Sequence, residues 1–382
     1  HPAAVAVLNR TGAGMIERQQ AGEAARTARF LLERDGSLPP ALGQVAWLLL
    51  AQSQFSLGDY PAAEAAYREA LSGDMPEGVP RETLQEAMAT AIYRYAEQQH
   101  AADDSVAAAS TFLRAAAAAP GTGLQSTAQY DAAASLLAAG RWDAATRVLE
   151  QFRADYPGHE LQPEVTRKLA YGYDQSGQSR QAAKEYLQLG EDRQQTEAVQ
   201  REALLRAAGI YSETGAVRQA IRIRELYLER FPQPATAAVE VMQQLADLEA
   251  GEGNPGRRQH WLEAIIQLDQ AAGTARTRPL AAEAALELAE NRLSAFRQIQ
   301  LVNPVQDSLA RKLQAMKRAL QAFEGAIEFG VTPVATAATY QIARMYDEFG
   351  HALLNSERPV SLTAEELAEY DLLLAEQAAP FE

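Results

Sequence analysis

The stretch GDYPAAEAAYREAL, residues 58–71, decides the reading of the whole chain. A Gly-Asp-Tyr turn leads into a helix that carries small Ala63 and Ala70, with large Tyr67 between them. Residues three and four apart share one helix face. Alternating small and large residues on such a face allow a second helix to pack closely at the alanines, while the tyrosine fills the gap beside them.

The pattern returns along the chain. GRWDAATRVLEQFRADYP (140–157) has the glycine, Ala145 and a closing proline. GQSRQAAKEYLQL (177–189) has Gly177, Ala182 and Tyr186, and GAVRQAIRIRELYLERFP (215–232) has Gly215, Ala220, Tyr227 and Pro232. The glycines at 140, 177 and 215 are 37 and 38 residues apart. DDSVAAASTFLRAAAAAP (103–120) is a copy without the glycine, with Ala108, Phe112 and Ala115. Self-similarity at such a period marks a repeat architecture.

Each copy follows a helical stretch: VAWLLLAQSQFSL before Gly58, VTRKLAYGYDQS before Gly177, REALLRAAGIYSET before Gly215. Paired helices of this kind resemble the tetratricopeptide repeat. Trp47, Leu50, Ala51, Gly58, Tyr60, Ala63, Tyr67 and Ala70 match that family's signature almost position by position, and the other copies match in part. The resemblance implies an all-α fold, a right-handed superhelical α-solenoid of stacked helix-turn-helix pairs. A single pair cannot bury its apolar face, so stacking is required.

The edges are less regular. Residues 8–36 read as an N-terminal pair with Ala24, Ala28 and Leu31 inward, and residues 241–268 as a further pair with Leu245 and Ala246 facing Leu262 and Ile265. Beyond Thr274 the helices lengthen, to about 279–301, 306–329, 334–355 and 363–378, punctuated by Pro304, Pro333 and Pro359. The expected division is therefore 1–273, a solenoid of about seven pairs, and 274–382, a divergent long-helix continuation.

Composition agrees with helix. Hydrophobic residues make up 47% of the 382, much of it alanine, and no apolar run reaches the roughly 20 residues that span a bilayer. The net charge is −15 and no basic stripe is legible, which disfavours nucleic acid and favours a basic or neutral partner. The chain has no cysteine, which excludes disulfides, thiolate nucleophiles and cysteine metal sites and suits an oxidising compartment. No leader is legible in HPAAVAVLNR (1–10), and EQAAPFE (376–382) has no helix stop beyond Pro380. The expectation is a mature or trimmed form of a longer chain.

No chemistry of catalysis or cofactor binding is legible. GEGNPG (251–256) spells G-x-G-x-x-G, but a helix precedes it where a dinucleotide site needs a strand, so it reads as a polar interhelix loop. His1, His100, His159, His260 and His351 include no pair at helical metal-ligand spacing. There is no P-loop and no nucleophile elbow. The chain is expected to be no enzyme and to carry no cofactor and no metal.

In tetratricopeptide arrays the concave surface is lined by the first helix of each pair. Carried onto this chain, the resemblance implies a groove of Gln52 and Phe55, then Tyr93, Glu97 and His100, then Tyr130, then Glu164, Arg167, Tyr171 and Asp174, then Glu202 and Ser212, and finally Gln243 with Glu240 and Asp247. Tyr173 and Tyr211 fall on core sites of the signature. The groove set is mostly acidic with tyrosine anchors, chemistry that suits an extended or helical peptide carrying lysine or arginine.

Fold alone does not give function. FRADYPGHE (152–160) and YLERFPQP (227–234) end their helices on an aromatic-proline pair. That style, with the long-helix C-terminal part, is similar to bacterial envelope tetratricopeptide proteins associated with TonB–ExbB–ExbD or Tol-type systems. It implies a periplasmic interaction scaffold touching a TonB-, ExbD- or TolR-like partner. Two alternatives stay open, a peptidoglycan- or polysaccharide-related envelope module and a cytoplasmic adaptor. Self-association stays open with any of them.

Overall fold

The computed structural model describes residues 8, 12–16, 20–33, 38–73 and 80–381. Among them every regular element is helical, as the sequence implied. The helices are α1 (Ala21–Leu32), α2 (Pro40–Ser56), α3 (Tyr60–Ser72), α4 (Arg81–Ala101), α5 (Ser105–Ala118), α6 (Gly123–Ala138), α7 (Trp142–Asp155), α8 (Gln162–Gln175), α9 (Ser179–Glu191), α10 (Glu197–Glu213), α11 (Val217–Arg230), α12 (Ala235–Gly251), α13 (Pro255–Ala272), α14 (Arg278–Gln298), α15 (Val305–Ile327), α16 (Thr332–Leu354) and α17 (Ala364–Ala378). From α2 to α9, and again from α12 to α17, they form pairs, an even-numbered helix followed by an odd-numbered one.

One turn builds most of the pairs. At Gly58 the backbone enters the left-handed region with φ 80°, the Gly58 N–H donates to the Phe55 carbonyl at 3.0 Å, and Asp59 N–H donates to the Gln54 carbonyl at 3.0 Å. These two bonds are the Schellman closure, which satisfies the last carbonyls of α2 and turns the chain at once. Gly140, Gly177 and Gly215 repeat it with φ of 67°, 74° and 77°. Gly253 repeats it too, with φ 73°, so the G-x-G-x-x-G stretch is the turn between α12 and α13.

The copy without a glycine makes the same turn. Asp103 sits at φ 61°, donates to the His100 carbonyl at 3.0 Å, and is followed by Asp104 N–H donating to the Gln99 carbonyl at 2.9 Å. A residue with a Cβ pays for that conformation where glycine does not. Asp103→Gly is therefore expected to raise stability, by up to about 1 kcal/mol. Hydrogen exchange across α4 and α5 would show it, and an unchanged or lower protection would refute the strain.

Five residues past the turn residue stand Ala63, Ala108, Ala145, Ala182 and Ala220, each with no accessible surface. These are the close-packing points inferred from residues 58–71. Ala63 and Tyr67 share a core with Leu50 and Ala51 of α2 and with Leu84 and Ala91 of α4, so Tyr67 fills the space where neighbouring pairs meet. Ala24 and Ala28 of α1 are buried as expected. Leu31 is half-buried, and Leu8, Met15 and Ile16 pack against the same core as Ala24 and Ala28. Residues 9–11, 17–19 and 34–36 of the expected pair lie outside the described residues. Tyr173 is a core residue, as assigned from the signature.

The chain divides into two compact units, His1–Ile210 and Tyr211–Glu382. In the first, α4 touches α6 and α6 touches α8, besides the packing of each helix on its sequence neighbours. The odd-numbered helices α3, α5 and α7 make no comparable contact with one another. The row of even-numbered helices is thus the inner side of this unit. In the second unit, α14, α15 and α16 close a core of Leu293, Phe296, Met316, Phe323, Met345 and Phe349. There Lys312 is buried, and its ammonium donates to the carbonyls of Phe296 at 3.1 Å and Ile299 at 2.8 Å, capping the C-terminal end of α14. The partition at 273/274, drawn from helix length, is a different one: α14, α15 and α16 have 21, 23 and 23 residues, against 14, 13 and 17 in α8, α9 and α10.

Candidate functional site: a cavity on the inner face of the first unit

Between α8 and α10 lies a cavity of about 680 Å³, floored by Tyr186 and Leu189 of α9 and closed at one end by Leu137 and Trp142. Four of the residues implied for the groove meet there: Glu164, Arg167, Tyr171 and Glu202. On α8 the first three follow i, i+3, i+7 spacing, one face of a helix, and Glu202 faces them from α10.

Tyr171 is the anchor. Its ring is 46% exposed and stands edge-on to Trp142, with centroids 5.6 Å apart and planes at 89°. Such a pair holds the tyrosine in one orientation while leaving a face and the hydroxyl free for a partner. Trp142 was not among the groove residues implied by the sequence. It opens α7, a second helix, and only first-helix positions were carried over; its place two residues after the turn glycine was the available signal.

The charges of this cavity balance. Glu164 and Arg167 pair with each other across one helical turn. Lys168 stands over the Tyr130 ring, with its ammonium 5.3 Å from the centroid, and Glu202 lines the opposite wall. Neither Lys168 nor Glu202 has an ion-pair partner among the described residues. Burial pushes the Tyr130 phenol up to about 12, with the Glu164 charge adding to it, and burial pushes Tyr186 up to about 12 as well, followed by the Asp174 charge.

The other implied residues are placed differently. Asp174 is fully engaged: Arg206 donates Nε to its Oδ2 at 2.8 Å and Nη2 to its Oδ1 at 2.7 Å, and the Tyr186 hydroxyl donates at 3.4 Å. Tyr93 donates its hydroxyl to Asp131 Oδ2 at 2.6 Å and packs edge-on against Phe112. Burial foremost raises the Tyr93 phenol far above its ordinary value, and burial also raises Asp131. Glu97 pairs with Arg94 at 2.7 Å, and His100 Nδ1 lies 3.5 Å from Ser135 Oγ. Gln52 and Phe55 line a separate cavity of about 280 Å³ beside Ala13, Ile16 and Tyr67. Gln243 belongs to the second unit and donates to Asp247 Oδ1 at 3.2 Å. The implied groove set is thus a mixture: an accessible cluster around Tyr171; Tyr93, His100 and Asp174, whose polar atoms meet the next repeat; Glu97 and Gln243, paired within their own helices; and Gln52 and Phe55 at a separate cavity.

Among the described residues no cluster of His, Asp and Glu could hold a metal ion, and no helix is long and apolar enough to cross a membrane. No family model and no curated relative matches the chain. Solved structures do. The apo form of RapI is 10% identical over 99% of this chain and 96% of its own, with a TM-score of 0.35. PilW, a widely conserved type IV pilus biogenesis factor, is 17% identical over 60% of this chain and 94% of its own, with a TM-score of 0.30. The C-terminal part of a tetratricopeptide-containing protein from Cytophaga hutchinsonii is 13% identical over 71% of this chain and 98% of its own, with a TM-score of 0.33. The helical repeat itself rests on the turns and packing described above, not on these likenesses.

Proposed function

We propose that this chain is a non-catalytic interaction scaffold of the bacterial cell envelope that takes a peptide segment of a partner protein into the cavity between α8 and α10. The observation that carries the reading is the half-exposed Tyr171, braced by Trp142 and flanked by the unpaired charges of Lys168 and Glu202. Interfaces draw much of their binding energy from such aromatic anchors, which offer large area and few rotors. With both signs of charge at its walls, the cavity suits an extended segment of mixed charge, where the sequence leads us to expect a basic or neutral partner. The absence of cysteine supports an oxidising compartment, hence the periplasm. A TonB-, ExbD- or TolR-like protein is the partner that the sequence resemblance suggests. A sugar ring stacked on the Tyr171–Trp142 pair, as in a peptidoglycan-related module, is the second reading, since an exposed aromatic beside carboxylates serves that chemistry too.

Site-specific photocrosslinking in the source cell tests the proposal, with the probe at Tyr171 and a control at the exposed Lys184 on α9. A protein adduct at Tyr171 and none at Lys184 is the expected result. Tyr171→Ala is then expected to weaken that partner's binding by about 10-fold or more without unfolding the chain, because the side chain is half exposed. No protein adduct at Tyr171, or equal adducts at both positions, overturns the proposal.

A further inference from the structure

The first unit has a second open groove, on the face away from Tyr171. It lies between the second helices α5 and α7, over α6, and has a volume of about 490 Å³. Its apolar wall is Val106, Ala109 and Leu113 of α5, at i, i+3 and i+7, facing Ala144 and Val148 of α7. Val106 is 55% and Leu113 38% exposed, unusual for aliphatic residues at helical spacing. Arg141 and Arg147 stand at its rim, both exposed and neither with an ion-pair partner among the described residues. The Gln129 side-chain carbonyl at the groove is buried without a hydrogen-bond donor. Buried polar atoms are ordinarily paired, so the groove is chemically unfinished.

The second unit carries a surface of complementary chemistry. Helix α17 packs inward through Leu367, Tyr370, Leu374 and Ala378. Its outer side shows Leu372 at 63% and Leu373 at 52% exposure, and Ala368, Leu372 and Ala375 make a stripe at i, i+4 and i+7. Beside that stripe run Glu365, Glu369 and Glu376, at i, i+4 and i+11. None of the three has an ion-pair partner among the described residues, and α17 contains no basic residue. The lengths also correspond: 15 residues of α17 and 14 of α5 are each about 21–22 Å.

We infer that the α5–α7 groove of one molecule receives helix α17 of a second copy, with Leu372 over Val106 and Leu113 and the glutamate row against Arg141 and Arg147. This is helix-in-groove recognition with electrostatic register. The two surfaces differ, so the contact is heterologous; exchanged reciprocally it closes a dimer, and otherwise it extends as a chain. The inference stands apart from the Tyr171 cavity, and either can fail without the other.

Sedimentation equilibrium of the full chain, from about 1 µM to about 200 µM, covers the range in which a contact of this size shows itself. The expected result is association that grows with concentration and weakens with salt. Arg141→Glu/Arg147→Glu and, separately, Glu365→Arg/Glu369→Arg/Glu376→Arg are each expected to weaken it by at least about 10-fold. All five positions are exposed, so both variants are expected to keep the wild-type circular dichroism. Mixed with each other, the two variants regain association, since each then meets the opposite charge. A wild type that stays monomeric throughout overturns the inference. So does association that survives either reversal, or a mixture that fails to recover it.

Discussion

Replacing Arg153 by methionine is expected to cost the first unit about 3 kcal/mol, whereas Arg153→Met combined with Glu185→Leu is expected to recover most of that loss. Arg153 on α7 grips Glu185 on α9 with both arms, Nη1 to Oε1 at 2.9 Å and Nη2 to Oε2 at 2.7 Å, and reaches Thr166 on α8 at 3.4 Å. The Glu185 side chain is only 8% exposed. A carboxylate so placed has surrendered its hydration, and the guanidinium is what compensates it. Removing the arginine alone strands a buried charge; removing both groups leaves apolar side chains in apolar surroundings. In a repeat array the loss is local, so the measurement is hydrogen exchange in α7–α9 rather than a single global midpoint. A single variant that costs under about 1 kcal/mol would show that the pair is solvated in solution, contrary to its burial here.

Alkaline pH is expected to unfold the chain cooperatively. Burial pushes Tyr67 up to about 12, and it does the same for Tyr130 and Tyr186. Burial pushes Tyr93 and Tyr173 higher still, reinforced by the hydrogen bonds they give to Asp131 and Glu150. In the unfolded chain these phenols ionise near 10. Between 10 and 12 the folded chain therefore holds protons that the unfolded chain has released, and stability falls as pH rises. The contribution is fully present below pH 10 and is lost on rising through the folded values. For the buried Tyr67 alone a shift of this size is worth about 3 kcal/mol. Phenolate absorbance and helical circular dichroism are followed together: the last phenolates to form are expected to appear in one step with the loss of the helices, and Tyr67→Phe is expected to move that step to higher pH. Ionisation of all 14 tyrosines with the helices intact would contradict the burial of these rings.

The repeat was legible because its signals are local. A left-handed turn needs glycine or a residue that tolerates the strain, and close helix packing needs a small residue at a fixed distance from that turn. Gly58, Gly140, Gly177 and Gly215 with Ala63, Ala145, Ala182 and Ala220 satisfy both conditions within one short window. The copy at 103–120 was legible from Ala108, Phe112 and Ala115 although its turn residue is Asp103, whose left-handed conformation glycine would have advertised. The pair at 241–268 and its loop were legible too, but not as a copy of the same pattern, because five residues after Gly253, where the other copies have alanine, stands Arg258, which is paired with Glu287 of α14.

The candidate site was legible only in part. Helical spacing put Glu164, Arg167 and Tyr171 on one face, and they do line one cavity. Nothing in that spacing distinguishes Tyr171, which remains half exposed, from Tyr93, whose hydroxyl is committed to Asp131, or Asp174 from Glu202. Arg206 lies 32 residues beyond Asp174, and Asp131 lies 38 beyond Tyr93. Such partners meet only when successive repeats are laid on one another, and a change of one or two residues in a connecting loop would move them apart. The sequence by itself determined the helices, the turns and the alanines at which helices touch, because backbone conformation and steric volume act over a few residues. The tertiary structure alone decided which polar groups are used up in holding repeats together and which stay free to bind. An ion pair or a hydrogen bond depends on a separation in space of a few ångströms, and that separation is set by the stacking.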